Sequence, residues 1–420
     1  MQHAMISPLP SASGALEATP EPSGFHPPPP ERSGFDSDEE RLRSFGEALD
    51  GIRRSVESKI GLQDLTRVRR LRWFSRTCEV VGRAAIHLSF EPLLFGFGVT
   101  TLWLHKQLEA TEIGHTALHG AYDKIEGVGR FHSKRFRWEV PIDEESWRYG
   151  HNVRHHGGTN VAGHDADIHF GPVRLTRETP YHPKQRFQLA YALLGLFPNF
   201  AFVMNLHFTG LADAYEGNGR AGGMDFLPDR EWNTLATAHY KALRKYVPYY
   251  AYEYVLWPAL AGPFFWKVLL GNYLSELMRD VYSAATIFCG HVGDETHSYQ
   301  AGTKAKSRGR WYAMQAAASN NFQVGPLRSV LCGGLDLQIE HHLFPKLPPQ
   351  RYREIAPLVE AACVEHGVPY RAESWAKTLY RALRHIQDLS HPDPAPVSAQ
   401  EPGSVRGPSG AANVPTGATA

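Results

Sequence analysis

YYAYEYVLWPALAGPFFWKVLLGNYLSELMRDVYSAATIFCGH, residues 249–291, is the stretch on which the fold turns. Its 43 residues allow two helical bilayer crossings of about 20 residues each. The first half carries only Glu253 and Lys267 as charges and is rich in Tyr and Trp, which settle at membrane–water boundaries. The second half carries Glu276, Arg279 and Asp280, which must face the protein interior or a wet cavity. With a turn near Gly271 and Asn272, the segment reads as a membrane hairpin ending at His291.

A second hairpin is expected upstream. Val80 to Leu104 is apolar apart from Arg83, His87 and Glu91, which recur every four residues along one face. Pro92 interrupts the helical pattern. The basic run Arg67, Arg69, Arg70, Arg72 and Arg76 before it favours the cytoplasmic side. Together with the helix leading to His115 there is room for two passes. The rest of the body, residues 42–389, reads as mostly helical, giving an all-α integral membrane protein with about four transmembrane helices. Residues 1–38 and 390–420 are rich in Pro, Ser and Gly and poor in apolar residues, so both are expected to be disordered tails. No signal peptide is apparent at the N-terminus.

The chain has 420 residues, 22 His, four Cys and a net charge of +1. Nothing electrostatic points to nucleic acid. Cys78, Cys289, Cys332 and Cys363 are scattered, which argues against a disulfide framework or an iron–sulfur centre. Seven His fall in three blocks, HTALH (115–119), HNVRHH (151–156) and QIEHH (338–342). The i, i+4 spacing in the first two sets two imidazoles on one helix face. Neutral imidazole is a good ligand for iron, zinc and copper, so the clusters read as a metal site. If all three share that site, the chain crosses the membrane an even number of times between the second and third. The 249–291 hairpin supplies two crossings, so the apolar stretch 187–211 is expected to be an interfacial or re-entrant helix.

These blocks carry a resemblance. EIGHTALHGAYD (112–123), WRYGHNVRHHGGTNVAGHDADI (147–168), IFCGH (287–291) and GGLDLQIEHHLFPKLPPQRY (333–352) are similar, in the same order, to the histidine boxes of integral-membrane di-iron fatty acid desaturases, in particular bacterial acyl-CoA and acyl-lipid desaturases. The resemblance covers roughly residues 70–370. It implies a helical body on four membrane helices with a cytosolic cap that holds two irons, both termini being cytosolic. Carried over by position, it implies His115, His119, His151, His155, His156, His341 and His342 as ligands, and His291 as one more. Gln338 stands where one branch of the family has His, which leaves it as a loose ligand or a holder of water. His297 is a weaker substitute, and His164, His169 and His207 are expected to be supporting or structural.

Each ligating imidazole needs an acceptor for its other N–H. Glu112, Asp123, Asp165, Asp167 and Glu340 are the candidates, with Asp167 and Glu340 favoured because they lie inside the matching blocks. The implied reaction is O2-dependent formation of a carbon–carbon double bond in a fatty acyl chain. Two alternatives share some of the evidence: a lipid hydroxylase or oxidase of the same fold, and a zinc-dependent membrane hydrolase, whose HExxH motif is missing. No GxGxxG loop, Cys cluster or His-Pro-Gly-Gly haem box is present (His391-Pro392 is followed by Asp393). Electrons should therefore come from a separate ferredoxin or flavoprotein reductase. Lys134, Arg135, Arg137, Arg148 and Arg154 are candidates to meet a CoA phosphate, a lipid headgroup or an anionic membrane surface.

Overall fold

Pro92 and Glu91 shape the first hairpin. Proline fits the first turn of a helix but not its interior, and the Glu91 carboxylate accepts the free backbone N–H groups of Leu93 and Leu94. Helix α2 (Leu62–Leu88) therefore stops just before helix α3 (Pro92–Leu108), and the two pack side by side. Gly82 and Gly98 lie where the helices touch. A Cβ on Gly82 would sit 2.6 Å from the Leu102 backbone nitrogen, and one on Gly98 would sit 2.8 Å from that of Ile86. Small residues permit this approach, as in membrane helix pairs.

The computed structural model describes residues 37–170, 173–216 and 225–393. The expected tails lie almost wholly outside the described residues. Residue 38 does not, since it opens helix α1 (Asp38–Glu57), where Ser37 caps the first turn. The described chain is mostly helical, with two short strand pairs, His169–Phe170 with Val173–Arg174 and Asn321–Gln323 with Ala372–Ser374.

The 249–291 segment departs from expectation at its turn. Helix α4 (Trp232–Ala251) continues helically to Leu260, the chain turns at Ala261–Phe264, and helix α5 runs unbroken from Phe265 to His291. Gly262 supplies the positive φ of 55° and Pro263 fits the start of the next turn. Gly271 and Asn272 instead lie inside α5. Gly271 makes room for Ile86 of α2, and Asn272 donates to the Glu253 carbonyl. The Gly-Pro pair was the stronger turn signal, and the Gly-Asn pair answers a packing need.

Glu276, Arg279 and Asp280 are buried, as their chemistry requires. Arg83 of α2 bonds Glu253 at 2.7 Å, Lys106 of α3 lies 3.1 Å from the same carboxylate, and Arg279 lies 2.8 Å from Asp280. Unpaired, these charges would be very costly to bury, and the Arg83–Glu253 and Lys106–Glu253 pairs also tie the two hairpins together. The opposite faces are apolar and exposed: Val80, Phe90, Leu93 and Phe97 on the first hairpin, and Val255, Leu260, Phe265 and Trp266 on the second.

Among the described residues, one helical stretch has the length and apolar composition to cross a membrane, Pro183–Phe208. It is not one regular helix. Pro198 lies in a 3-10 turn between the Ala192–Leu196 π segment and the Phe200–Phe208 helix.

Candidate metal centre

The second histidine box sits on π-helical backbone, Arg148–His155, and another π segment, Glu109–His115, ends on the first histidine of the first box. In a regular α-helix His151 and His155 would share a face and His156 would be turned about 100° away from His155. The wider register removes that conflict. The His156 amide donates to the His151 carbonyl over five residues at 3.0 Å, so His156 returns to the same face. Helix α5 delivers His291 from its last turn, and the short Gln338–Leu343 helix delivers His341 and His342.

The eight histidines meet in one buried cluster. Ligand atoms of His115, His119, His151 and His341 lie within 4.8 Å of one another, as do those of His155, His291 and His342. His156 joins the groups, falling within the same distance of His341 and His342 and of His151 and His155. The His119 and His115 Nε2 atoms are 3.2 Å apart, and those of His156 and His151 are 3.3 Å apart.

Around them lies a ring of partners. Asp167 holds His151 Nδ1 at 2.8 Å and Asp165 holds His155 Nδ1 at 2.8 Å. Tyr352 holds His341 Nδ1 at 3.1 Å, Gln315 and Thr159 each lie 3.0 Å from His342 Nδ1, and the Ala318 carbonyl lies 3.3 Å from His291 Nδ1. With Nδ1 engaged, Nε2 points inward. Nε2 of His155, His341 and His342 and Nδ1 of His156 are buried without a hydrogen-bond partner. A buried polar atom left bare is expensive, and a cation that takes a nitrogen lone pair removes the cost. The residues present therefore fit bound metal.

The other acids proposed as partners point elsewhere. Glu112 bonds Arg67 at 3.3 Å, Asp123 accepts from the Ser133 amide and hydroxyl, and Glu340 accepts from Asn321 and Tyr370. Helical geometry explains Glu340, since a residue beside two ligands on a short helix projects to another side. Gln338 is in the cluster, with Nε2 at 2.7 Å from His291 Nε2 and Oε1 buried and unpartnered. It thus acts on a proposed ligand nitrogen directly. His207 reaches the Ala166 carbonyl at 2.8 Å, and His169 accepts from the Gly163 amide, so both brace the loop that carries Asp165 and Asp167. His164 packs against Gly158, and the His297 amide bonds the Ala317 carbonyl, away from the ligand groups.

Electrostatics favour neutral rings at most positions. Burial, reinforced by neighbouring imidazoles, holds His119, His151, His156, His341 and His342 well below the ordinary histidine range, and burial puts His115 at about 3. His155 is the exception. Burial opposes its charge, but the carboxylates of Asp165 and then Asp167 outweigh burial and lift it to about 9.

Sequence reasoning missed Tyr352, Gln315, Thr159 and Asn160. Asn160 takes φ = 57°, a conformation Asn tolerates, and donates its amide to the carbonyls of His291, His297 and Ala318. Tyr352, Thr159 and Asn160 all lay inside matching blocks, in the closing PPQRY and in GGTN, and Gln315 lay outside them. None of the four carries a spacing signal of its own.

Beside the cluster is a cavity of about 70 Å³. His115, His151, His155 and His291 form one wall, and Ala110, Ile142, Phe200, Met204, Ile287 and Leu335 form much of the rest. A helical body with a buried polyhistidine centre beside a partly apolar cavity has the make-up of a metal-binding protein with room for an apolar group next to the metal. The fatty acid desaturase family profile matches residues 89–374, and the chain belongs to that family. It is 31% identical over 359 residues to an NADPH-dependent stearoyl-CoA 9-desaturase of Mycobacterium tuberculosis, covering 84% of this chain and 81% of that protein. It is 27% identical over 290 residues to an sn-1 linoleoyl-lipid 6-desaturase of Synechocystis, covering 67% and 77%.

Proposed function

We propose that the protein is an integral-membrane acyl desaturase whose eight clustered histidines hold two iron ions. The convergence of unpartnered imidazole nitrogens beside an apolar cavity carries this reading. Bound iron would supply the oxygen-activating redox chemistry that no side chain provides. The chain's own residues do the rest. Asp165, Asp167, Tyr352 and Gln315 fix the rings that would ligate, and Gln338 restrains His291. The apolar walls hold methylenes against the His wall and keep bulk water away. The relatives' names cover both an acyl-CoA and an acyl-lipid substrate, and either ester fits the reading. Electrons would come from a separate reductase or ferredoxin.

The exposed apolar faces of the two hairpins support four crossings. We infer a catalytic domain of residues 42–389 with its centre and both termini in the cytosol. The test is metal content and lipid composition in one host. Protein purified after growth in iron should carry about two irons per chain, and host lipids should gain a double bond that an empty vector does not give. Active protein with far less than one iron per chain would end the di-iron reading.

A further inference from the structure

The cavity beside the histidines has a second polar wall, made by Arg279, Asp280 and Ser283 of α5. Asp280, Ser283, Ile287 and His291 recur at three- and four-residue spacing, so one face of one helix carries both walls about three turns apart. A charged pair on an acyl cavity needs a reason, because hydrocarbon gives it nothing.

Arg279 has five N–H groups. Nε bonds Asp280 at 3.0 Å, Nη1 bonds the Tyr249 hydroxyl at 2.9 Å, and Nη2 reaches Glu276 at 3.2 Å and Asp280 at 2.8 Å. One N–H on Nη1 is left over among the described contacts. Tyr249 also borders a larger open cleft of about 540 Å³, lined by charges of both signs, among them Arg137, Lys245, Glu139 and Glu144. Trp138 and Val140 line both spaces, so they form the partition between them. Arg279 thus stands where a chain entering from the polar cleft would leave its headgroup behind.

We infer that Arg279 binds the carbonyl oxygen of an esterified acyl chain, with Tyr249 and Asp280 holding the guanidinium in place. This rests on the desaturase reading and names the substrate feature it counts from. Asp280 and Glu276 beside the guanidinium repel a carboxylate, so the site selects an ester or thioester over a free fatty acid. It also fixes the carbonyl relative to His291, so bond position is measured from the carbonyl end.

The test uses the full-length protein in lipid nanodiscs. Stearoyl-CoA and a distearoyl glycerolipid are compared with their carbonyl-free thioether and ether analogues, and with octadecanoate. For one ester class, wild type should bind the carbonyl form about tenfold more tightly than the analogue and than octadecanoate, and Arg279→Lys should lose that preference while keeping wild-type metal content. The class that shows the effect identifies the headgroup. In turnover, wild type should place the double bond at one distance from the carbonyl for saturated chains of fifteen to nineteen carbons. A constant distance from the methyl end, equal binding of analogue and ester, or an unchanged preference in Arg279→Lys would each overturn the proposal. Absence of any desaturated product from metal-loaded, reduced protein would overturn the desaturase reading itself, and the proposal with it.

Discussion

The two nitrogens of each imidazole divide the work at this centre. In five of the eight rings Nδ1 is held by a carboxylate, hydroxyl, amide or carbonyl oxygen, which sets the tautomer and aims Nε2 inward. The holders are not equivalent. Tyr352 offers a neutral hydroxyl to His341, so Tyr352→Phe removes one hydrogen bond and leaves the ring nitrogen in place. It should weaken metal retention about tenfold without abolishing double-bond formation. His341→Ala and His342→Ala each delete a nitrogen and should leave no detectable desaturation in protein that still inserts. Gln338→Ala should be milder than either, and Gln338→His should be tolerated. Metal content and fatty acid profiles, normalised to membrane protein, separate the cases. Full activity in both His→Ala variants would remove QIEHH from the centre.

At the level of elements the π segments matter most, since they let consecutive boxes face inward. Gly114, one residue before His115, is where the Glu109–His115 segment meets Trp138. A Cβ there would overlap the Trp138 indole and the Glu109 carbonyl, which already accepts from that indole at 3.1 Å. Gly114→Ala should therefore destabilise the protein by about 1–3 kcal/mol and lower its metal content, read by thermal unfolding in detergent. Gly195→Ala is the control. It lies in another π segment with open space at its Cβ and should be neutral or stabilising by less than about 1 kcal/mol. Gly114→Ala as well tolerated as Gly195→Ala would mean that the contact with Trp138 does not constrain this segment. The π register was illegible in HNVRHH, because spacing alone assumes an α-helix, where His156 faces away. Helix existence was legible from apolar length, as was the break at Pro92. The turn falls at Gly262-Pro263 and not near Gly271 and Asn272, because Gly-Pro both permits a positive φ and breaks the helical hydrogen bonding, whereas Gly271 and Asn272 are held inside the helix by packing. At the centre, the histidines could be read from their blocks, whereas Gln315 and Thr159 are defined only by the fold that brings them to His342.

For the whole molecule, the joining of the boxes constrains topology. His151, His155 and His156 lie in the same groups as His291, His341 and His342, so under the membrane reading proposed above the chain between them has to cross the bilayer an even number of times. Three stretches lie between: Pro183–Phe208, α4 with its extension to Leu260, and α5. If α4 and α5 form a crossing hairpin, Pro183–Phe208 stays on one side despite its length and composition. Its interruption at Pro198 and its exposed Phe187, Tyr191, Leu193 and Leu194 suit a helix lying in the membrane interface. Cysteine labelling can decide this with little background, because Cys78, Cys289, Cys332 and Cys363 are all buried. In sealed vesicles, an impermeant maleimide should reach His182→Cys, Asp229→Cys and Thr303→Cys from the cytosolic face. Phe90→Cys, in the turn between α2 and α3, should be reached only from the opposite face. Labelling of His182→Cys and Asp229→Cys from opposite faces would make Pro183–Phe208 a true crossing. The hairpin of α4 and α5 would then have to give up one of its own, since the assembled histidine centre forbids an odd count.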